Sequence, residues 1–140
     1  MNDSKPILLV EDDQVDAMMV ERALGELEVA SQLVRTTNGE EALEYLRTEK
    51  SNKKPCVILL DLNMPKMNGV EFLKVAKADD ELKKIPVVVL TTSKDEQDIV
   101  ESFKLSVAGY MVKSVNYKKF VEAIRAIDLY WTFSELPNGD

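Results

Sequence analysis

Three short apolar runs are the strongest structural signal along the chain. They cover Pro6–Val10, Val57–Leu60 and Ile85–Leu90, and charged or polar residues bound each of them. Continuous apolar runs of this length are typical of strands that are buried on both faces of a parallel sheet. We therefore expect these three strands to form the centre of a sheet.

Two weaker runs, Gln32–Thr36 and Gly109–Val112, predict two further strands, of which the first lies at or near a sheet edge. The segments between the strands carry apolar residues at steps of three and four, a spacing typical of amphipathic helices. The predicted helices are Gln14–Glu28, a helix that Asn38 caps and that ends near Glu49, Val70–Lys77, Asp95–Leu105 and Tyr117–Trp131. Five strands alternating with five helices predict an α/β fold, a doubly wound five-stranded parallel sheet with helices on both faces.

The apolar stripes of the last two helices predict which of their residues face the core. In the fourth helix these residues are Ile99, Val100 and Phe103. In the fifth helix they are Phe120, Val121, Ile124, Ile127 and Trp131. The residues from Leu136 onward predict a frayed tail, and nothing in the pattern predicts a second domain.

Composition and charge narrow the range of functions. The chain has 140 residues, a size typical of one domain, and a formal net charge of −7. This charge argues against binding to nucleic acid or to an anionic membrane, because both need a basic surface. A polar N-terminus and the lack of a long apolar run predict a cytoplasmic protein. The sequence has no histidine, which excludes Ser-His-Asp catalysis and histidine-ligated metals.

Charged and hydroxyl residues stand where the predicted strands end. Glu11 and Asp12 follow the first strand and Asp61 ends the central one. Thr91 follows the next strand along the chain, and Lys113 follows the last. The carboxyl ends of parallel strands share one edge of the sheet, where ligands bind in open α/β folds. We therefore expect these five side chains to converge.

Three converging carboxylates repel one another unless a cation lies between them. Oxygen ligands of this kind suit Mg²⁺, which often binds one or two carboxylates together with phosphate oxygens. A carboxylate nucleophile, a divalent metal, a lysine and a hydroxyl form a site that accepts a phosphoryl group, with Asp61 as the attacking group.

Each of these residues also has a simpler explanation. Asp61 can merely end a strand, and Thr91 and Lys113 can be solvated strand termini. The acidic cluster can stabilise the N-terminus of the first helix through the helix dipole. Only the joint occurrence of the residues favours the phosphoryl-accepting site.

Taken together, these motifs resemble the receiver domain of two-component response regulators, from about Lys5 to Ile127. The segments that carry the resemblance are Leu8–Asp12, Leu60–Pro65, Gly69, Leu90–Thr92 and Lys113. The resemblance implies a flavodoxin-like sheet with strand order 2-1-3-4-5. It also implies a receiver domain over residues 1–127 and a C-terminal helix extension and tail over residues 128–140, with no output domain.

The resemblance assigns the metal site and the phosphoacceptor. It implies that Asp61 accepts the phosphoryl group, that Asp12 binds Mg²⁺ directly and that Glu11 helps through water. The backbone carbonyl of Asn63 would complete the metal shell, and Lys113 would contact a phosphoryl oxygen.

The resemblance also implies a conformational switch. Thr91 would bond the phosphoryl group and shift toward it, and Tyr110 matches the aromatic position that then turns inward. The alternative for Tyr110 is an ordinary half-buried strand tyrosine.

The chain departs from the family pattern after its lysine, where Ser114 follows Lys113 instead of the usual proline with its cis peptide bond. A cis bond to a non-proline residue costs about 2.5–4 kcal/mol, so we favour a trans bond here, with a strained cis bond as the alternative. Thr92 is bulkier than the small residue often found at its position, which predicts narrower access to the phosphoacceptor. Dephosphorylation is expected to be tuned by Asn63, Thr92 and Ser93.

The C-terminal segment Leu129–Pro137 is similar to that of stand-alone regulators paired with bacterial phytochrome kinases. Two explanations fit this aromatic segment. Either it extends the last helix and packs back on the domain, or it takes part in a homodimer through the last helix and the tail.

Together these expectations describe a stand-alone response regulator. A partner histidine kinase phosphorylates it on Asp61 in a Mg²⁺-dependent reaction, and the subgroup that the chain resembles implies a kinase of the phytochrome type. Such a chain can equally act as a relay that passes phosphate to a histidine phosphotransfer protein. An aspartyl-phosphate phosphatase fits less well, because Asn63 stands where its second acid is needed. A flavin-binding module fits less well too, because Glu11 and Asp12 would repel its phosphate. We therefore expect a signalling protein rather than an enzyme.

Overall fold

The computed structural model describes residues 5–29, 31–48, 54–92, 94–113 and 116–135, with side chains as far as residue 126. The strands are β1 (Ile7–Val10), β2 (Leu33–Thr36), β3 (Val57–Asp61), β4 (Val87–Thr91) and β5 (Gly109–Val112). The helices are α1 (Gln14–Glu26), α2 (Gly39–Thr48), α3 (Gly69–Ala78), α4 (Lys94–Ser102) and α5 (Tyr117–Glu135), and a short 3-10 helix, Leu82–Lys84, precedes β4. Strands and helices alternate along the described chain, as the sequence pattern predicts.

The five strands form one parallel sheet in the order β2-β1-β3-β4-β5. Every residue of β1, β3 and β4 is buried, whereas the edge strands β2 and β5 are buried only in part. The three apolar runs therefore lie in the centre of the sheet, where helices cover both faces. The predicted doubly wound, flavodoxin-like sheet with order 2-1-3-4-5 is confirmed.

Two apolar layers cover the sheet. One contains side chains of α2, α3 and α4, with Leu46 and Phe72 fully buried. The other contains side chains of α1 and α5, with Ala23 and Ile124 at its centre. Burial of one large apolar side chain contributes about 1.5–3 kcal/mol, so these layers are the main source of stability.

The register of the sheet makes the strand ends level. Val10 pairs with Leu60, and Asp61 pairs with Leu90. Beyond these pairs the backbone N–H of Lys113 donates to the carbonyl of Thr91 at 2.7 Å. The residues that follow the strands therefore emerge along one edge.

The prediction for the fourth helix was partly wrong. The helix ends at Ser102, and of its three predicted core residues only Val100 is buried. Ile99 and Phe103 are 50% and 45% exposed. Lys104 has a φ of 55°, so the chain leaves the helix there, and the Phe103 ring lies at the surface beneath the Lys74 ammonium, 3.9 Å from it.

Apart from the end of the last helix, the other predicted bounds that fall on described residues differ from the structure by at most two residues. At β4, Ile85 does not belong to the strand because its N–H closes the 3-10 helix at the carbonyl of Leu82. Asn38 caps α2 as predicted, since its Oδ1 accepts from the Glu41 N–H at 2.9 Å. The predicted helix end at Glu49 lies outside the described residues.

The last helix continues to Glu135, four residues beyond the predicted end. Phe120 and Ile124 are buried as predicted, whereas the side chains of Ile127 and Trp131 lie outside the described residues. Within the described chain, no helix combines the length and the apolar character that crossing a bilayer requires.

Candidate functional site

The turn after β3 fixes the position of Asp61. The Gly69 N–H donates to the carbonyl of Leu62 at 2.9 Å, which brings the start of α3 against the end of the strand. A Cβ at Gly69 would lie 2.6 Å from the carbonyl oxygen of Asp61 and 2.7 Å from the Leu62 Cα. Only glycine fits this approach, because the obstructing atoms belong to the backbone. Asn68 then starts α3 with a capping box.

Three carboxylates gather at this strand end. Glu11, Asp12 and Asp61 each offer one oxygen, and these oxygens all lie within 4.8 Å of one another. Glu11 is completely buried and Asp61 is 4% exposed, whereas Asp12 is exposed. Burial, with the neighbouring charge of Asp61, raises the pKa of Glu11 to about 7. Burial also raises the pKa of Asp61, and the charge of Asp12 acts in the same direction.

The ammonium of Lys113 lies among these acids. Its Nζ is 2.8 Å from Oδ1 of Asp61, 3.0 Å from Oε1 of Glu11 and 3.0 Å from Oδ2 of Asp16. The lysine side chain is only 14% exposed. Burial lowers the pKa of Lys113, but the three carboxylates outweigh it and the net shift is upward. The lysine therefore stays protonated and supplies a fixed positive charge at the site.

The hydroxyl of Thr91 completes this edge. Thr91 is fully buried, and its Oγ1 has no hydrogen-bond partner among the described residues. A buried polar group without a hydrogen bond costs about 1–3 kcal/mol. A ligand oxygen placed beside Thr91 would accept a hydrogen bond from this hydroxyl and remove that cost. Oε1 of Glu11 also lacks a hydrogen bond of good geometry within the described chain, although it forms the ion pair with Lys113.

The carboxylate of Glu96 joins the loop after β3 to the loop after β4. Glu96, in the first turn of α4, accepts a hydrogen bond from the Thr92 backbone N–H and another from Nδ2 of Asn63, both at 2.8 Å. Burial opposes ionisation of Glu96, but these hydrogen bonds outweigh it and lower the pKa of this carboxyl group. The predicted tuning residues Asn63 and Thr92 are therefore linked through Glu96.

Arg35 supports the loop that carries the first two acids. From β2, its Nε donates to the backbone carbonyl of Glu11 at 3.0 Å, and Nη2 donates to that of Asp12 at 3.2 Å. Oδ1 of Asp13 accepts from the Asp16 N–H at 2.9 Å and so caps α1. These contacts fix the path of the chain between β1 and α1.

The predicted switch residue Tyr110 lies on β5, where it pairs with Val89 of β4. It is half-buried against the apolar layer under α4. Burial raises the pKa of its hydroxyl, and the charges of Glu101 and Asp98 add to the effect. Its movement stays a prediction, while Ser93 and the peptide bond between Lys113 and Ser114 lie outside the described residues.

The acids and the lysine that the sequence places at the strand ends lie together in the structure, with Thr91 at the same edge, but the sequence did not indicate three other residues. Asp16, Arg35 and Glu96 all contact the site or the loops that carry it. Acids in the first turn of a helix are common because they stabilise the helix dipole, so nothing in the sequence singles out Asp16 or Glu96. Asp16 and Lys113 are separated by 97 residues, and only the fold shows that they meet.

The donor set fits a divalent cation. The three carboxylate oxygens are hard ligands, which Mg²⁺, Ca²⁺ and Mn²⁺ prefer to nitrogen or sulfur. Burial raises the pKa of Glu11 and of Asp61 even though Lys113 lies beside both, so one ammonium does not offset the cost of ionising these acids. A bound cation would relieve this electrostatic cost.

Comparison with known proteins agrees with this geometry. The family model described as "Response regulator receiver domain" matches residues 7–125. Response regulator Rcp1 from Synechocystis sp. is 38% identical over 133 residues, which cover 93% of this chain and 90% of Rcp1.

Two solved structures are similar as well. The phosphorylated cyanobacterial phytochrome response regulator RcpA superposes with a TM-score of 0.80 at 41% identity, covering 92% of this chain and 94% of that one. The Mn²⁺-bound form of Rcp1 superposes with a TM-score of 0.77 at 39% identity, covering 91% of this chain and 94% of that one. With its five-stranded sheet and its acid, lysine and threonine edge, the chain belongs to the response regulator receiver domain family.

Proposed function

We propose that this protein is a response regulator that accepts a phosphoryl group on Asp61 in a Mg²⁺-dependent reaction. The observation that carries the proposal is the contact of 2.8 Å between Oδ1 of Asp61 and the Lys113 ammonium, within reach of two further carboxylates. A carboxylate oxygen of Asp61 attacks phosphorus, a new O–P bond forms, and the bond to the leaving group breaks with its electron pair going to that group.

The residues around Asp61 bind the phosphoryl group and the metal. Lys113 neutralises charge on a phosphoryl oxygen, and the unpartnered hydroxyl of Thr91 donates to another. Glu11, Asp12, Asp61 and the backbone carbonyl of Asn63 would hold Mg²⁺. The cation, when bound, neutralises negative charge on the phosphoryl oxygens.

Phosphorylation then changes the conformation. A phosphoryl group at Asp61 gives the Thr91 hydroxyl a hydrogen-bond partner that it lacks among the described residues, and Tyr110 on the adjacent strand follows its movement. To convert a 1:99 population of active and inactive forms to 99:1, the phosphoryl group must favour the active form by about 5.5 kcal/mol. The lifetime of this state depends on Asn63, Thr92 and Ser93.

The phosphodonor that we propose is a histidine kinase of the phytochrome type. Its support is the similarity to the phytochrome response regulator RcpA over most of both chains. A relay role, in which the protein passes phosphate to a histidine phosphotransfer protein, uses the same chemistry in reverse.

The domain limits remain those that the sequence predicts, a receiver over residues 1–127 and an extension over 128–140. The homodimer through the last helix and the tail depends on side chains beyond residue 126, which lie outside the described residues. Light scattering on a chain shortened to Ile127 tests it, because loss of a dimer would place the contact in the extension.

The test of the central proposal is mass spectrometry after incubation with acetyl phosphate and Mg²⁺. We expect a phosphoryl mass increment in the wild type, no increment in Asp61→Asn, and no increment when EDTA removes the metal. Asp95→Asn, an exposed change of equal charge in α4, serves as the control and should behave like the wild type. A wild type without any increment would refute the proposal.

A further inference from the structure

Asp16 is the carboxylate on Lys113 to which the proposed reaction gives no role. It lies in the first turn of α1, a helix that packs in the same apolar layer as α5, and its Oδ2 accepts from the Lys113 ammonium at 3.0 Å. Asp16 is 33% exposed and Lys113 is 14% exposed, so water screens this pair only in part. The contact ties the first helix to the end of the last strand.

The three acids on Lys113 are not equivalent. An ammonium has three N–H donors, and here Glu11, Asp16 and Asp61 provide three anionic partners. Glu11 and Asp61 also belong to the described group of acids that can hold a metal ion, whereas Asp16 does not. A cation therefore competes with the lysine for two of its three partners and leaves the third unaffected.

Phosphorylation sharpens this difference. When Asp61 becomes an acyl phosphate, its carboxylate loses its own charge and the phosphoryl oxygens become the new acceptors for the ammonium. Glu11 faces the cation at the same time. Asp16 then remains as the protein carboxylate that can hold the ammonium without giving up another bond.

Lys113 needs such a partner because of its place in the fold. It follows β5, an edge strand whose Val112 is 52% exposed, and a lysine side chain is long and flexible. Asp16 is better fixed, since its N–H is bonded to the cap residue Asp13 and its helix packs on the sheet through Ala17 and Val20. Asp16, on the well-packed helix α1, therefore restrains the flexible side chain of Lys113.

We propose that Asp16 is a positioning residue that holds the Lys113 ammonium toward the phosphoryl group while Mg²⁺ and the phosphoryl group engage the other two acids. This inference rests on the proposed phosphorylation of Asp61. Asp16 touches neither the phosphorus nor the metal in this role, and it acts through Lys113 alone.

The test compares Asp16→Asn, Asp16→Glu and the control Glu21→Gln, which removes one exposed charge from the same helix. With acetyl phosphate and saturating Mg²⁺, we expect Asp16→Asn to slow phosphorylation by roughly ten- to a hundredfold, because misplacement of a reacting group has effects of this size. Glu21→Gln should match the wild type, and Asp16→Glu should recover part of the rate because it restores the charge.

Two further measurements separate positioning from a general structural effect. Calorimetry with Mg²⁺ alone should give dissociation constants for Asp16→Asn and Glu21→Gln that agree within about threefold, since salt screens a charge outside the metal ligands. Nitrogen-15 NMR of the full-length protein should show the Lys113 ammonium protons exchanging faster with water in Asp16→Asn than in the wild type.

The outcomes are distinct. An Asp16→Asn rate equal to or above that of Glu21→Gln would overturn the inference while leaving Asp61 as the phosphoacceptor. The same holds if the Lys113 ammonium signal does not change. A wild type that takes up no phosphoryl group would refute the proposed function, and the role of Asp16 in it.

Discussion

Two strands at the centre of the sheet, β1 and β3, are buried at every residue; β1 leads into Glu11 and β3 ends at Asp61. By contrast, β5 has one buried residue, Met111, and α4 has one, Val100. We refer to β1, β3, α1 and α3 as the acid side of the site, and to α4 and β5 as the α4–β5 side. The acid side is densely packed on both faces of its strands. Apolar side chains are exposed on both sides, namely Val15 and Met18 of α1 and Ile99, Val112 and, just after α4, Phe103, so the contrast lies in how many residues of each element are buried.

The polar groups do not follow this division. The α1 cap and the capping box of α3 satisfy their hydrogen-bonding groups within the protein. Oε1 of Glu11, on the acid side, and the hydroxyl of Thr91, at the end of β4, are both buried without a hydrogen bond in the described chain. If Asp61 is phosphorylated as we propose, we expect the thinly packed α4–β5 side to rearrange, because elements with few buried contacts rearrange at the lowest cost.

The largest expected effect comes from a matched pair of phenylalanines. Phe72→Ala removes a fully buried ring from the acid side and should lower the free energy of unfolding by about 3–5 kcal/mol. Phe103→Ala removes a half-exposed ring near α4 and should cost less than about 1 kcal/mol. Urea denaturation measures both, and equal losses would contradict the contrast in packing.

The acid side should also carry a pH dependence in the metal-free protein. The pKa of Glu11 is raised from 4.5 in the unfolded chain to about 7, so the folded state binds a proton more tightly. Its contribution to stability is therefore full below about pH 4.5 and is lost as the pH rises through 7. The raised pKa of Asp61 acts with the same sign.

Thermal melting in EDTA measures this dependence. We expect the melting temperature to fall between pH 5 and pH 7.5, and Glu11→Gln to make the curve flatter. Saturating Mg²⁺ should also flatten the curve, because the cation compensates the ionised acids. A melting temperature that rises with pH over this range would contradict the assignment.

A pair of glycines tests the close approach behind Asp61. Gly69→Ala forces a Cβ against the backbone of β3 and should cost about 1–3 kcal/mol of unfolding free energy. Gly109→Ala on β5 is the control, since a Cβ there meets nothing within 4 Å. Denaturation of the two variants gives the comparison, and a neutral Gly69→Ala would show that the turn can move.

The smallest effect is expected at the link between the two sides. Glu96→Ala removes the bonds to the Thr92 N–H and to Asn63, and should cost about 1 kcal/mol, the usual net contribution of such hydrogen bonds. Asp95→Ala removes an acid from the same turn of α4 without these bonds and should have a smaller effect. Hydrogen exchange of the Thr92 amide reports the loss directly, and unchanged protection would remove Glu96 from the link.

Parts of the fold could be predicted because local pattern and burial agree. The continuous apolar runs of β1, β3 and β4 mark central strands, and the polar edge strand β2 was recognised by its weaker pattern. The prediction for α4 was right about the helix and about Val100 but wrong about two of its core residues, because helical spacing alone does not show which apolar residues meet another element. Val100 reaches the core, while Ile99 and Phe103 are about half-exposed.

The sequence by itself determined the alternating α/β pattern and the acids, hydroxyl and lysine that end the strands, because strand burial and parallel topology bring such residues to one edge. The tertiary structure alone decided which partners they have there. Packing between distant segments brings Lys113 to Asp16 and Arg35 to the carbonyls of Glu11 and Asp12. It also leaves the Thr91 hydroxyl without a hydrogen bond among the described residues. Local sequence carries no record of such contacts, since they arise from register and helix placement.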